Sequence, residues 1–136
     1  MLIELHVPDF DKVKRFYSKL GFTVTWERKP EKFKGYLVMR LENNILTFWG
    51  GNDYVKKHPY FKDFPENTQP GYGVEIIIEV ANIDGYYAKI KKSVEIIEPL
   101  IDQPWGLRDF RVKDPFGFYL RITTPHDILN DQYAVK

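Results

Sequence analysis

The side chains able to do chemistry are few, and their types limit what that chemistry is. The sequence has no cysteine and three histidines, His6, His58 and His126. Thiolate nucleophiles, disulfides and thiolate metal sites are therefore excluded, and imidazole-rich metal sites nearly so. His58 before Pro59 and His126 near the end read as solvent-facing loop residues, which leaves His6 as the histidine placed for a site. Flat indole surfaces at Trp49 and Trp105 suit stacking on heteroaromatic or cationic ligands. Asp109, Arg111 and Arg108 in LRDFR read as charge pairs at a sheet edge or interface. No phosphate-binding glycine loop, dinucleotide fingerprint or nucleophile elbow is present.

Bulk composition narrows the classes further. Twenty basic and nineteen acidic residues leave a formal charge of +1, with no global field to draw a nucleic acid. Apolar runs fall short of the ~18–20 residues of a membrane span. The opening MLIELHVPDFD lacks the features of a signal peptide, so a cytoplasmic location is expected. Aromatic residues make up 16% of the 136, a high share that needs a use.

The elements that must position these residues follow from periodicity. Residues 2–7 alternate apolar and polar as a half-buried strand does. Asp9 caps a helix over 10–20, with Phe10, Val13, Tyr17 and Leu20 on one stripe and Gly21 as its stop. Strands follow at 22–28, 35–41 and 45–49, the last two joined by a turn at Glu42-Asn43-Asn44. A Gly-, Pro- and aromatic-rich linker, about 51–72, carries one short helical turn near 53–58. Its aromatics Tyr54, Tyr60, Phe61, Phe64 and Tyr72 form a flap or cover a sheet edge. Then come a strand at 75–80, an Asn82-capped helix over 83–92 and a strand at 94–98. A loop, PLIDQPWG, leads to a hairpin of 107–113 and 118–124 across Asp114-Pro115-Phe116-Gly117, followed by a tail at 125–136.

A shift of 73 lays Val7 on Val80, Asp9 on Asn82, Phe10 on Ile83 and Asn44 on Gly117. The shared order of elements reads as a duplicated β-α-β-β-β unit. Alternation puts Leu2, Glu4 and His6 on one face of the first strand, and Glu75, Ile77 and Glu79 on one face of the fifth. Tyr119, Arg121 and Thr123 share a face of the last, while the opposite apolar faces should pack on the helices. The fold class expected is α+β.

PWGLRDFRVKDPFGFYLRIT (104–123) resembles the C-terminal signature of the vicinal oxygen chelate superfamily, and HVPDFDKVKRFYSKLGF (6–22) its N-terminal one. That superfamily groups glyoxalase I, extradiol dioxygenases, fosfomycin-resistance enzymes and bleomycin-resistance proteins. The resemblance implies two modules forming a single domain, a cup-shaped, eight-stranded open barrel with helices outside. It also implies a homodimer with clefts at the interface. The ligand positions of its metal-dependent members fall here on Leu2, a residue of the fourth strand, Glu75 and Arg121. The fourth strand, ILTFW, supplies no carboxylate or imidazole. Such a set does not suit a divalent ion, so no metal and no cofactor is expected. In that alignment Glu75 and Arg121 face one another in place of the metal.

The function expected is metal-free binding of a small molecule, resembling the bleomycin-resistance subgroup that sequesters a cationic, aromatic drug. The expected ligand-binding residues are Trp49, Trp105, Glu75, Arg121, Tyr119, Glu79, Glu4 and His6. Two other classes stay open, namely a glyoxalase-like or related metal-dependent enzyme, or an interaction module with a vestigial cup.

Overall fold

The structure, a computed structural model, describes residues 1–130 and residue 132. The rest of the expected tail, residues 131 and 133–136, lies outside the described residues. The chain divides into two compact units, the first running Met1–Gln69 and the second beginning at Pro70.

In the first module β1 (Glu4–Val7) leads into α1 (Phe10–Lys19), followed by β2 (Thr23–Arg28), β3 (Gly35–Leu41) and β4 (Asn44–Gly50). Asp9 caps α1, its Oδ1 accepting the amides of Asp11 and Lys12 at 2.9 and 3.2 Å. Gly21, at φ +95°, closes the helix as only glycine does without strain. Phe10, Val13, Tyr17 and Leu20 are buried, and Tyr17 meets Phe48 of β4 at 5.1 Å between ring centroids. The sheet order is β1-β4-β3-β2, with β1 and β4 parallel. Leu5, Val7, Leu37, Met39, Leu46 and Phe48 form its buried side. Two 3-10 turns, Asp53–Lys57 and Phe61–Asp63, follow β4 where one short turn was expected.

The second module repeats the plan with β5 (Glu75–Glu79), α2 (Ile83–Ile90), β6 (Ile96–Asp102), β7 (Arg108–Lys113) and β8 (Tyr119–Thr123). Its order, β5-β8-β7-β6 with β5 and β8 parallel, is the same topology as the first. Both modules are therefore βαβββ units of an α+β fold. Asn82 caps α2 through the amide of Gly85 at 3.2 Å. Tyr87 of α2 packs edge-on against Phe110 at 4.8 Å, over a buried layer of Ile76, Ile78, Phe110, Val112, Leu120 and Ile122.

One further expectation changes. Residues 99–102, read as loop, belong to β6. Register shifts between Ile96 and Glu98 and between Glu98 and Ile101 carry the strand past Pro99, which has no amide to give the ladder. The tight turn expected between β7 and β8 is built on Asp114, only 2% exposed. Its Oδ1 accepts the amides of Phe116, Gly117 and Phe118 at 2.9, 2.9 and 2.8 Å. Among the described residues no helix is long and apolar enough to cross a membrane.

Candidate functional site

Each sheet has one side turned away from its helix, and the register fixes what stands there. In the first module His6 pairs with Trp49 and Trp49 with Tyr36, while Glu4 pairs with Thr47 and Thr47 with Val38. The row continues onto β2 with Trp26 opposite Val38 and Arg28 opposite Tyr36. Glu4, His6 and Trp49 are thus brought together. His6 stacks on Trp49 with ring centroids 4.7 Å apart and planes at 28°. Its Nε2 lies 3.1 Å from Glu4 Oε2, while its Nδ1 is buried without a hydrogen-bond partner among the described residues. Burial lowers the His6 pKa below the ordinary imidazole value, outweighing the hydrogen bond and charge of Glu4, which raise it. A neutral ring that donates Nε2–H to Glu4 leaves Nδ1 as an acceptor.

Sequence reasoning missed what covers this pair. His58 is half-buried rather than solvent-facing, and meets His6 edge-on at 5.0 Å and Trp49 at 5.4 Å. Phe61 meets His6 edge-on at 5.3 Å and lies at 32° to His58, 4.7 Å away. Lys34 Nζ stands 5.4 Å from the Trp49 ring. Tyr36 hydrogen-bonds Thr47, which lowers its pKa, but burial and the neighbouring Glu4 raise it further and the net shift is upward. Tyr54 sits under Lys57 Nζ at 5.5 Å, and Tyr72 is 88% exposed.

In the second module Glu75 pairs with Tyr119, Ile77 with Arg121 and Glu79 with Thr123. Glu75, Glu79, Tyr119 and Arg121 share the sheet side expected of them. The guanidinium on Glu75, however, is that of Arg111, with Nε to Oε1 at 2.6 Å, and not that of Arg121. Arg111 also reaches Glu98 at 3.2 Å and Asp109 at 3.1 Å. Burial lowers its pKa, but the Glu75 hydrogen bond and the charges of Asp109, Glu75 and Glu98 hold it above the ordinary arginine value. Asp109 is 1% exposed and also accepts Gln103 Nε2 at 2.7 Å. The edge reading of these charges fails, because β7 lies between β8 and β6. Arg108 bridges Asp84 and Asp102 at 2.8 and 2.9 Å.

Arg121 stands opposite Arg111 in the ladder, and its buried Nε has no hydrogen-bond partner among the described residues. Tyr119 is raised in pKa, first by burial and then by the charge of Glu98. Trp105 is half-buried in the turn where Gly106 donates to the Gln103 carbonyl at 3.0 Å, and meets no other ring among the described residues. His126, also half-buried, has Nδ1 2.9 Å from the Thr124 carbonyl.

The residues at the implied metal positions do not fit a divalent ion. Leu2 has no donor, Glu75 is held by Arg111, Arg121 is a cation, and the open side of β4 carries Thr47 and Trp49. Thr47 gives its hydroxyl to the Ile3 carbonyl at 2.8 Å.

A family model described as the Glyoxalase/Bleomycin resistance protein/Dioxygenase superfamily matches residues 2–122. No match was found among curated proteins. Solved structures of the same fold include a bleomycin-binding protein complexed with bleomycin, at 17% identity and TM-score 0.59, covering 93% of this chain and 98% of the other. A bleomycin resistance determinant encoded on the transposon Tn5 is similar at 18% identity and TM-score 0.64, with the same coverage of both chains. A glyoxalase-related enzyme from Fulvimarina pelagi is similar at 17% identity and TM-score 0.64, covering 92% of this chain and 87% of the other.

Proposed function

This chain belongs to the Glyoxalase/Bleomycin resistance protein/Dioxygenase superfamily, and from that premise we propose that it is a metal-free binding protein for a small, planar aromatic molecule. The observation that carries the reading is the shelf of Trp49 and His6 beside Glu4 in the first module. A stacked indole and imidazole offer a flat surface, and an adjacent carboxylate offsets a positive charge on the ligand. In the second module Glu75 has less capacity left for a ligand than the sequence suggested, because Arg111 already occupies it. Within the second module, taken by itself, Arg121, Tyr119 and Glu79 offer polar groups on the open side of the sheet, with Trp105 as a separate indole. The fold shared with a protein complexed with bleomycin supports a cationic aromatic drug as the ligand to try first. A homodimer in the cytoplasm is part of the same proposal.

Titration with bleomycin and phleomycin, followed by tryptophan emission, tests it. Saturable quenching is expected. Undisturbed emission at high micromolar ligand would remove the drug-sequestration reading. One tightly held divalent ion per chain, found by elemental analysis after incubation with nickel, zinc, manganese and iron, would overturn the metal-free reading.

A further inference from the structure

The loop between β2 and β3 brings cations to the Trp49–His6 shelf without enough acids to balance them. Residues 28–34 hold Arg28, Lys29, Lys32 and Lys34 against the single carboxylate of Glu31. Among the described residues Glu27 pairs with Lys14, while Arg28 and Lys34 have no carboxylate at ion-pair distance. Both stand on aromatic faces instead. Arg28 Cζ lies 5.5 Å and Lys34 Nζ 5.7 Å from the centre of the Phe33 ring, and Lys34 Nζ also lies 5.4 Å from that of Trp49. Lys34 is half-buried, so its ammonium gives up part of its water for ring faces, which attract a cation less than a carboxylate does.

The loop is held where it stands. A Cβ at Gly35 would lie 2.7 Å from the Arg28 carbonyl and 2.9 Å from Pro30 Cδ, so glycine lets the two ends of the loop meet. Asn52 Nδ2 donates to the Phe33 carbonyl at 3.1 Å. The register puts Lys34 and Glu4 toward opposite ends of the shelf. Glu4 stands at Thr47 and His6 at Trp49, while Gly35, which follows Lys34, stands at Gly50. The Trp49 position lies between the two charges, and Glu4 is already engaged by His6 at 3.1 Å.

We infer that the shelf takes an aromatic ligand bearing a carboxylate, and that Lys34 reads this group, giving up its place on Trp49 to the ligand's ring. The inference rests on the binding role proposed for that shelf and names the chemical class of its ligand. A ring on Trp49 takes the surface where the ammonium stands, and the carboxylate gives that ammonium a charge-assisted hydrogen bond in exchange. A cationic group at the same end meets Lys34 and Arg28 and is repelled. A cation at the other end meets Glu4, so an acid beside Lys34 is compatible with a positive charge elsewhere on the ligand.

Naphthalene-2-carboxylate and its neutral amide, naphthalene-2-carboxamide, share ring and size and differ in charge. Each is titrated into the full chain at neutral pH and followed by the indole N–H resonance of Trp49, assigned by its loss in Trp49→Ala. The acid should bind about five- to tenfold tighter than the amide, with a preference that shrinks as salt is raised. Lys34→Met keeps an unbranched stem and removes the charge. It should bring the two ligands to within about twofold of each other while leaving the amide's affinity unchanged, and Lys34→Arg should keep most of the preference. Equal binding of acid and amide by the wild type overturns the inference and leaves the shelf as an aromatic site. So does a full preference in Lys34→Met, which places the carboxylate on another cation. A Trp49 resonance that neither ligand shifts at millimolar concentration overturns the inference and the aromatic-binding role together.

Discussion

Replacing Arg111 by leucine should be among the most damaging changes in the second module, and the cost can be worked from its three partners. Asp109 is 1% exposed and loses its cation while keeping only the Gln103 amide on Oδ1; its Oδ2 has no partner to begin with. Stranding a buried charge in this way costs about 3–5 kcal/mol. Glu75 and Glu98 have side chains 33% and 53% exposed, so water takes over much of their solvation and each adds only about 0–1 kcal/mol. The expected loss is therefore about 3–5 kcal/mol, carried mainly by Asp109. Urea unfolding at neutral pH measures it. Glu98→Gln should cost less than about 1 kcal/mol by the same assay. Adding Asp109→Asn to Arg111→Leu should return about 1–3 kcal/mol, because the stranded charge is gone. A loss under about 1 kcal/mol for Arg111→Leu, or no recovery in the double variant, would refute the reasoning.

Other consequences follow from single contacts. Asp114→Ala removes the acceptor of three amides in a buried turn and should cost about 2–4 kcal/mol in urea unfolding, with Asp114→Asn costing less. Burial keeps the His6 pKa below that of the unfolded chain, so the unfolded state takes up its proton first as pH falls. Stability should therefore decline as pH drops through about 6.5, and His6→Gln should show a shallower decline in denaturant midpoint. At Gly50, φ is +100° and a Cβ would lie 2.5 Å from Val55 Cγ1, so Gly50→Ala should lower stability by about 1–3 kcal/mol in thermal unfolding.

Most of the scaffold was legible because its signals are local. Alternation in LIELHV and EIIIEV set the two faces, and Asp9 and Asn82 marked both helix starts. The path of β6 was not legible, since bulges let a strand continue past Pro99 where the two-residue period breaks. The partner of Glu75 depends on ladder register: Arg111 and Arg121 lie on the same side, directly opposite each other, and sequence parity does not choose between them. Asp109 and Arg111, two apart with Glu98 across the ladder, were the available signal for the charge cluster. His58 was missed because its role rests on a fold-back of the 3-10 segment onto β1 and β4, a contact about fifty residues away in sequence from His6 that no local pattern encodes.

The central claim is that the Trp49–His6 shelf binds a planar ligand. Calorimetric titration of bleomycin into the wild type and Trp49→Ala tests it most directly. The account predicts saturable binding by the wild type, weakened about tenfold or more, or about 1.4 kcal/mol, in Trp49→Ala, with no divalent ion required. Equal affinity in the two proteins, or binding that appears only when a divalent metal is supplied, would contradict it.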